Sequence, residues 1–414
     1  MIGQIEQKKT SLSSYLLISS IIVIAIIFAL SMKISIKNVM KGYQYNILVI
    51  LIVMQLFTNL IKSTNIMKYI GAKIALRSKG KKQFLLFFFG VSMFFISSLV
   101  NNITAVLVIL PIIFYILKAI EPDEKYVCIF FASLLAISNT GGAATPIGDF
   151  PAVIIMTSGI TTFLHYLVRA MPVFIITTIV LTVFWSLLTR KSEDFDIRPM
   201  TGILKSIKID KLTLILLCCI FGVMFILWSF IPPDTIPPEI VAVLGYGLAL
   251  AICAIRKNTI DTSIDFTVVL TIAGFLFMAS IVSEAGWLDI LANGLKENIA
   301  NPVYLLLAVM VMTSIISGLF SAGPAAAAMM PIIINLSNTT LAEQSHWVAI
   351  AFAASICAGS SLFMWSASAG FILSHQIDKE DLGYSWGIGR YLKYGIVNYL
   401  IQITIAITII ALVL

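Results

Sequence analysis

One acid stands in the middle of a stretch that is otherwise apolar. It closes the run Ser138-Asn139-Thr140-Gly141-Gly142-Ala143-Ala144-Thr145-Pro146-Ile147-Gly148-Asp149, inside the hydrophobic segment 126–160. An ionisable side chain at membrane depth is costly and marks a functional site by default. The glycines Gly141, Gly142 and Gly148 free backbone carbonyls and amides around it. Asn139, Thr140 and Thr145 add neutral oxygens. Oxygen-rich, partly anionic sets of this kind suit hard cations such as Na+, and a buried carboxylate could equally take up and release a proton. Asp149 also precedes Phe150-Pro151, the pattern of a helix cap with proline early in the helix; capping and ion binding are compatible.

Three further polar clusters interrupt apolar stretches. Asn101, Asn102 and Thr104 lie in the middle of 83–118, Ser321 and Gly323 in the middle of 301–337, and Ser360, Ser361 and Ser366 within 347–375. No Lys or Arg stands at these depths, so an anion held there would depend on amides and helix N-termini. The same small residues also serve close helix packing. A Na+ site is expected at Asn102, Asn139 and Asp149. Glu284 and Asp289 fall near a span end, and His165, His346 and His375 fall at segment ends, where interfacial placement is expected.

The elements that must position these groups follow from composition. The chain has 414 residues, 59% hydrophobic and 11% charged, against roughly 25% charged in soluble domains. Apolar runs at 15–32, 46–61, 170–188, 212–231, 240–255, 266–282 and 394–414 match the roughly 20 residues that a transmembrane helix needs. The stretches 83–118, 126–160 and 301–337 each run about 35 residues, too long for one span. Broken backbone inside a bilayer is tolerated only where protein buries it or a wet cavity bathes it. Two re-entrant hairpins (83–118 and 301–337) and two unwound spans (126–160 and 347–375) are therefore expected.

The halves repeat. Adding 220 to positions 97–112 brings Ser97, Leu99, Ala105, Pro111 and Ile112 onto Ser317, Leu319, Ala325, Pro331 and Ile332. The same offset sets Asn139-Thr140 against Gly359-Ser360. The expected architecture is an all-α polytopic membrane protein of two inverted repeats. It has about nine transmembrane spans plus the two hairpins and two unwound helices. The first repeat covers 1–190, a cytoplasmic loop and linking span 191–235, and the second repeat 236–414. With the N-terminus inside and the C-terminus outside, 22 of the 27 basic residues face the cytoplasm. The formal charge of +7 is thereby explained without a nucleic-acid partner. The five cysteines lie in apolar runs without metal or disulfide spacing.

Two stretches carry a resemblance: Asn101-Asn102-Ile103-Thr104 ahead of Pro111, and Gly141-Gly142-Ala143-Ala144-Thr145-Pro146-Ile147-Gly148-Asp149. They resemble the ion transporter superfamily, which includes arsenite permeases, NhaD-type sodium/proton antiporters and citrate and divalent-anion symporters. The resemblance spans both repeats. It implies secondary transport of a small anion (carboxylate or oxyanion) coupled to Na+ or H+ by alternating access, or Na+/H+ antiport without an organic substrate. It implies hairpin ligands at Asn101, Asn102 and Thr104, unwound-helix ligands from Asn139 to Asp149, a homodimer, and a bacterial inner (plasma) membrane. Antiporter members often have Asp where Asn101 stands. Ser321-Ala322-Gly323-Pro324 replaces the second-hairpin Ser-Asn-Thr signature of dicarboxylate carriers. A channel shares the polar breaks and is the remote alternative. No cofactor is expected beyond the coupling ion. An enzyme is excluded: Pro146 breaks a Gly-x-Gly-Asp protease motif, and neither a zinc-protease nor a phosphate-loop motif is present.

Overall fold

A computed structural model describes residues 20, 23, 26–27, 31, 34–41, 43, 45–100, 102–120, 123–189, 198–231, 235–258, 260–264, 266–286, 294, 297–299, 301–367, 369–370, 373, 377 and 388–414. Most of the span expected at 15–32, together with Asn101, Asp289 and His375, lies outside the described residues.

The described residues form helices and no strands. In chain order they are α1 (Ile36–Lys41), α2 (Tyr45–Ser63), α3 (Ile66–Arg77), α4 (Lys82–Leu99), α5 (Asn102–Ile120), α6 (Glu124–Ala144), α7 (Phe150–Thr157), α8 (Phe163–Leu188), α9 (Arg198–Ser206), α10 (Lys211–Phe230), α11 (Pro238–Ile255), α12 (Phe266–Glu284), α13 (Pro302–Phe320), α14 (Ala322–Asn338), α15 (Ser345–Gly359) and α16 (Ile388–Val413). Among the described residues, seven helices are long and apolar enough to cross a membrane, or up to nine if each of two bent pairs counts as one span.

Local chemistry sets the helix ends. Asn301 accepts from the amides of Val303 and Tyr304 to start α13, and Thr162 accepts from His165 to start α8. Asp210 starts α10 by accepting from the Thr213 amide and hydroxyl. Arg256 and Asn258, just past α11, also reach its carboxylate, which clamps α10 to α11. These donors, Thr213 first, hold the Asp210 carboxyl below the usual carboxylate range. The short basic helix α3 was not foreseen from hydropathy, and α9 packs against it.

The two halves use one plan. The hairpin α4–α5 corresponds to α13–α14, α2 to α12, and α8 to α16. Both α6 and the apolar part of α15 are buried on every side, the condition of a helix that is hydrophobic all round. They pack against each other and against α8 and α16 at the centre of the molecule. Ser97 in the first hairpin donates to the Ser138 carbonyl, and Ser317 in the second donates to the Ile356 carbonyl. A β-carbon on Gly141 would collide with Phe94 and Ser97, and one on Gly359 with Ser314 and Ser317. These pairs correct the uniform offset of 220. It holds for the hairpins but falls to 218 at the breaks, so Gly359 matches Gly141, not Asn139. The chain between hairpin serine and break glycine is two residues shorter in the second half, and the returning arm α14 has 17 residues against 19 in α5.

Candidate cation site at the first helix break

α6 ends at Ala144 because Pro146 follows. Proline disfavours helical geometry in the residue before it, and Thr145 is extended (φ −127°, ψ 152°). Five residues later α7 begins, with Asp149 as its N-cap. Pro151 removes the amide that an N-cap commonly engages, so one carboxylate oxygen accepts from the Phe150 amide (2.9 Å). The other oxygen accepts from Asn102 Nδ2 at 2.7 Å. The Ser97 hydroxyl shares its one proton between Asn102 Oδ1 and the Ser138 carbonyl. A carboxylate at the start of one helix is thus tied to the first residue of another, α5, at the tip of the hairpin.

Backbone packing holds this pair in place. A β-carbon on Gly142 would strike the Asn102 carboxamide and Asp149 Cβ, and one on Gly148 would strike Gly142 and the Ser97 carbonyl. Thr145 Oγ1 donates to the Ser98 carbonyl at 2.6 Å, which pins the unwound segment to the hairpin. Tyr166 on α8 donates to the Ala143 carbonyl at 2.7 Å, satisfying a group that the helix break leaves open.

Asp149 is the one carboxylate buried among the described residues (6% exposed). It opens onto a small pocket completed by Leu51, Met54, Gln55 and Thr58 of α2, Leu99 and Val100 of the hairpin tip, and Ile147 and Val153. The pocket offers about 10 Å³ to a water-sized occupant, room for about one water or bare ion. The Gln55 and Thr58 side chains have no hydrogen-bond partner among the described residues. Among the described residues, no cationic side chain lines the pocket. A carboxylate, an amide and a hydroxyl around such a volume form a hard-oxygen donor set that fits Na+, and the same carboxylate can hold a proton in its place.

The second break is neutral. Ser361, just past α15, donates to the Cys357 carbonyl (3.1 Å) and receives Gln402 Nε2 from α16 (3.0 Å). Asn139 Nδ2 reaches the same hydroxyl at 3.5 Å from α6. Tyr391 donates to the Ser361 carbonyl at 3.0 Å, the counterpart of Tyr166. The Ser366 hydroxyl shares its one proton between the Phe363 and Ser360 carbonyls, at 2.6 and 3.0 Å.

The citrate transporter family CitMHS matches residues 14–357, most of the chain. The chain belongs to that family. A 46 kDa membrane protein of Mycobacterium leprae is 25% identical over 88% of this chain and 85% of its own length. Magnetosome protein MamN of Paramagnetospirillum magneticum is 24% identical over 81% and 77%. Sodium/proton antiporter 2 of Arabidopsis thaliana is 27% identical over 74% and 72%. The Alcanivorax borkumensis YdaH transporter, described as having an unusual topology, shares the fold. Its TM-score is 0.57, with 12% identity, over 91% of this chain and 87% of that one.

In this CitMHS-family chain, Asn102, Gly142, Gly148 and Asp149 come together. Asn139 does not join them; its amide faces the second break. The Ser138 and Thr140 hydroxyls donate back to the carbonyls of Leu135 and Ile137, and Thr140 also meets Thr178 on α8. Gly141 is a packing contact against the hairpin. Thr104 lies in the opening turns of α5 and Gly323 in the opening turn of α14. Ser321 is the one-residue turn between α13 and α14, with a left-handed backbone (φ 87°). The Ser360 hydroxyl donates to the Cys357 carbonyl. Sequence reasoning missed Gln55 and Thr58, and in the second half Gln402 and Tyr391. The available signal was polar residues at helical spacing in apolar runs: Gln55, Thr58 and Asn59 in one, Asn398 and Gln402 in the other.

Proposed function

We propose that this secondary transporter exchanges Na+ for H+ and that Asp149 is the site the two ions share. The observation that carries this reading is the pocket. It is sized for one ion, lined by Asp149, Gln55 and Thr58, and bears no cationic side chain among the described residues. An anion there would meet the carboxylate without a compensating positive side chain, whereas Na+ would replace its hydration shell with protein oxygens. Competition between Na+ and H+ for one carboxylate is sufficient to couple their opposed movements. The likeness to plant sodium/proton antiporters supports the same reading. The hairpins and broken helices would rock against the remaining spans to expose the site alternately. Charge counting supports an N-terminus inside and a C-terminus outside in a plasma membrane.

A second reading keeps the cation site and adds a small carboxylate or oxyanion as cargo. The family's description as citrate transporters favours it, as do the N-termini of α5 and α7, which meet at Asn102 and Asp149.

The test is a pH-sensitive dye inside proteoliposomes, with sodium added outside and no organic ion present. An Asp149-dependent alkalinisation of the interior on adding sodium is expected, because protons leave as sodium enters. A silent response that appears only when carboxylates or oxyanions are supplied would replace the first reading with the second.

A further inference from the structure

Two histidines meet where the two halves touch at one end of the bundle. His165 lies in the first turn of α8 and His346 in the first turn of α15, ahead of the apolar runs 170–188 and 347–375. Their rings are 4.4 Å apart, centroid to centroid, tilted by 56°. His346 Nδ1 lies 3.0 Å from Thr161 Oγ1, in the loop between α7 and α8. Arg169, one turn along from His165, bonds the His165 carbonyl and sits 5.8 Å from the ring centroid of Trp347, the residue after His346. α15 is one of the two central helices and α8 packs against both of them, so this contact ties the start of α8 to the start of α15.

Among the described residues, the fixed charge in contact with the pair's immediate neighbours is positive. Arg169 is the fixed positive charge on the α8 side. On the α15 side the 3-10 turn before the helix carries Glu343, which is exposed and pairs with neither imidazole. The connection 335–341 leading to it contains no charged residue. Neutral imidazoles can pack ring to ring and use Thr161. A single added proton is tolerated. Two imidazolium ions in contact beside a guanidinium repel one another without a carboxylate to offset them.

We propose that His165 and His346 form a proton-operated latch between the two halves, closed while at most one imidazole is charged and opened when both are. Histidine is the side chain whose charge changes between pH 5 and 8, and protonation of clustered histidines is a general way to part an interface. The latch lies on the face that charge counting assigns to the outside. It would make the separation of α8 from α15 depend on external acidity, whichever ion the transporter carries.

The chain has three histidines, which makes imidazole NMR on histidine-labelled protein in detergent tractable. The expected result is two linked titrations for His165 and His346, with the second proton binding at a lower pH than the first. His165→Gln should convert His346 to a single step, at a higher pH than in the histidine-containing protein. A His346 curve indifferent to His165→Gln would overturn the proposal. The movement is read by spin labels at Val168→Cys and Glu343→Cys, with the five native cysteines replaced. Their separation should lengthen between pH 8 and pH 5, and should not change when both histidines are Gln. Equal distances at both pH values in the histidine-containing protein would overturn the latch. Neither measurement needs a transported substrate, so its failure is separate from a failure of the Na+/H+ reading.

Discussion

The two helix breaks share a backbone and differ in charge. At each, a hairpin serine donates to a carbonyl of the broken helix, a glycine lets the hairpin approach, and a tyrosine from the next helix bonds a freed carbonyl. The first break then places Asp149 against Asn102 beside a pocket. The second fills the corresponding space with Ser361, Gln402 and Asn139, which bond one another. The repeat thus supplies two places where backbone can open inside the membrane, and a single carboxylate sets one of them apart as the site proposed for the cation. The other is a satisfied neutral network whose role is to hold the central helices together.

The largest effect that would break this contrast is Asp149→Asn. It keeps the shape and one of the two hydrogen bonds that the carboxylate accepts, so folding and insertion should survive. Coupled transport should fall by on the order of 100-fold or more, as expected when a buried charge loses its role. Near-normal sodium-driven proton flux in that variant would remove the asymmetry altogether. Next comes the orienting shell. Asn102→Ala should weaken apparent Na+ affinity by about 10- to 100-fold, whereas Gln402→Leu at the neutral break should shift it by far less. Sodium titration of transport rate in the two variants ranks the breaks directly.

Glycine substitutions at the two breaks separate packing from chemistry. Gly142→Ala at the first break meets Asn102 and Asp149, and Gly359→Ala at the second meets Ser314 and Ser317. Overpacking costs about 1–3 kcal/mol, so both should lower the melting temperature in detergent, but Gly142→Ala alone should also reduce transport in the protein that remains folded. The smallest effects are expected from Tyr166→Phe and Tyr391→Phe. Each leaves a buried carbonyl unpaired, at about 1–3 kcal/mol, and the two thermal shifts should be similar if the tyrosines are equivalent.

Much of this was legible in the sequence. An acid in apolar surroundings has few explanations, and Pro146 between Gly142 and Gly148 marks where a helix must stop. The hairpin turns could be read from Asn102, Ser321 and their small neighbours. The two-residue slip between halves could not be seen, because an ungapped match through the hairpins carries no information on the connection that follows. Gln55 and Thr58 went unread for a different reason. A polar side chain within a hydrophobic helix shows no partner until the packing places α2 beside α7. Asn139 was misleading by proximity: it precedes Asp149 by ten residues, but the intervening helix turns its amide toward Ser361.

The most direct measurement of the central claim is sodium binding to the purified protein, followed by calorimetry in buffers of different ionisation enthalpy. The account predicts that sodium binds, that a proton is released as it does so, and that both signals vanish in Asp149→Asn while Gln402→Leu retains them. Sodium binding without proton release, or binding that persists in Asp149→Asn, would contradict it.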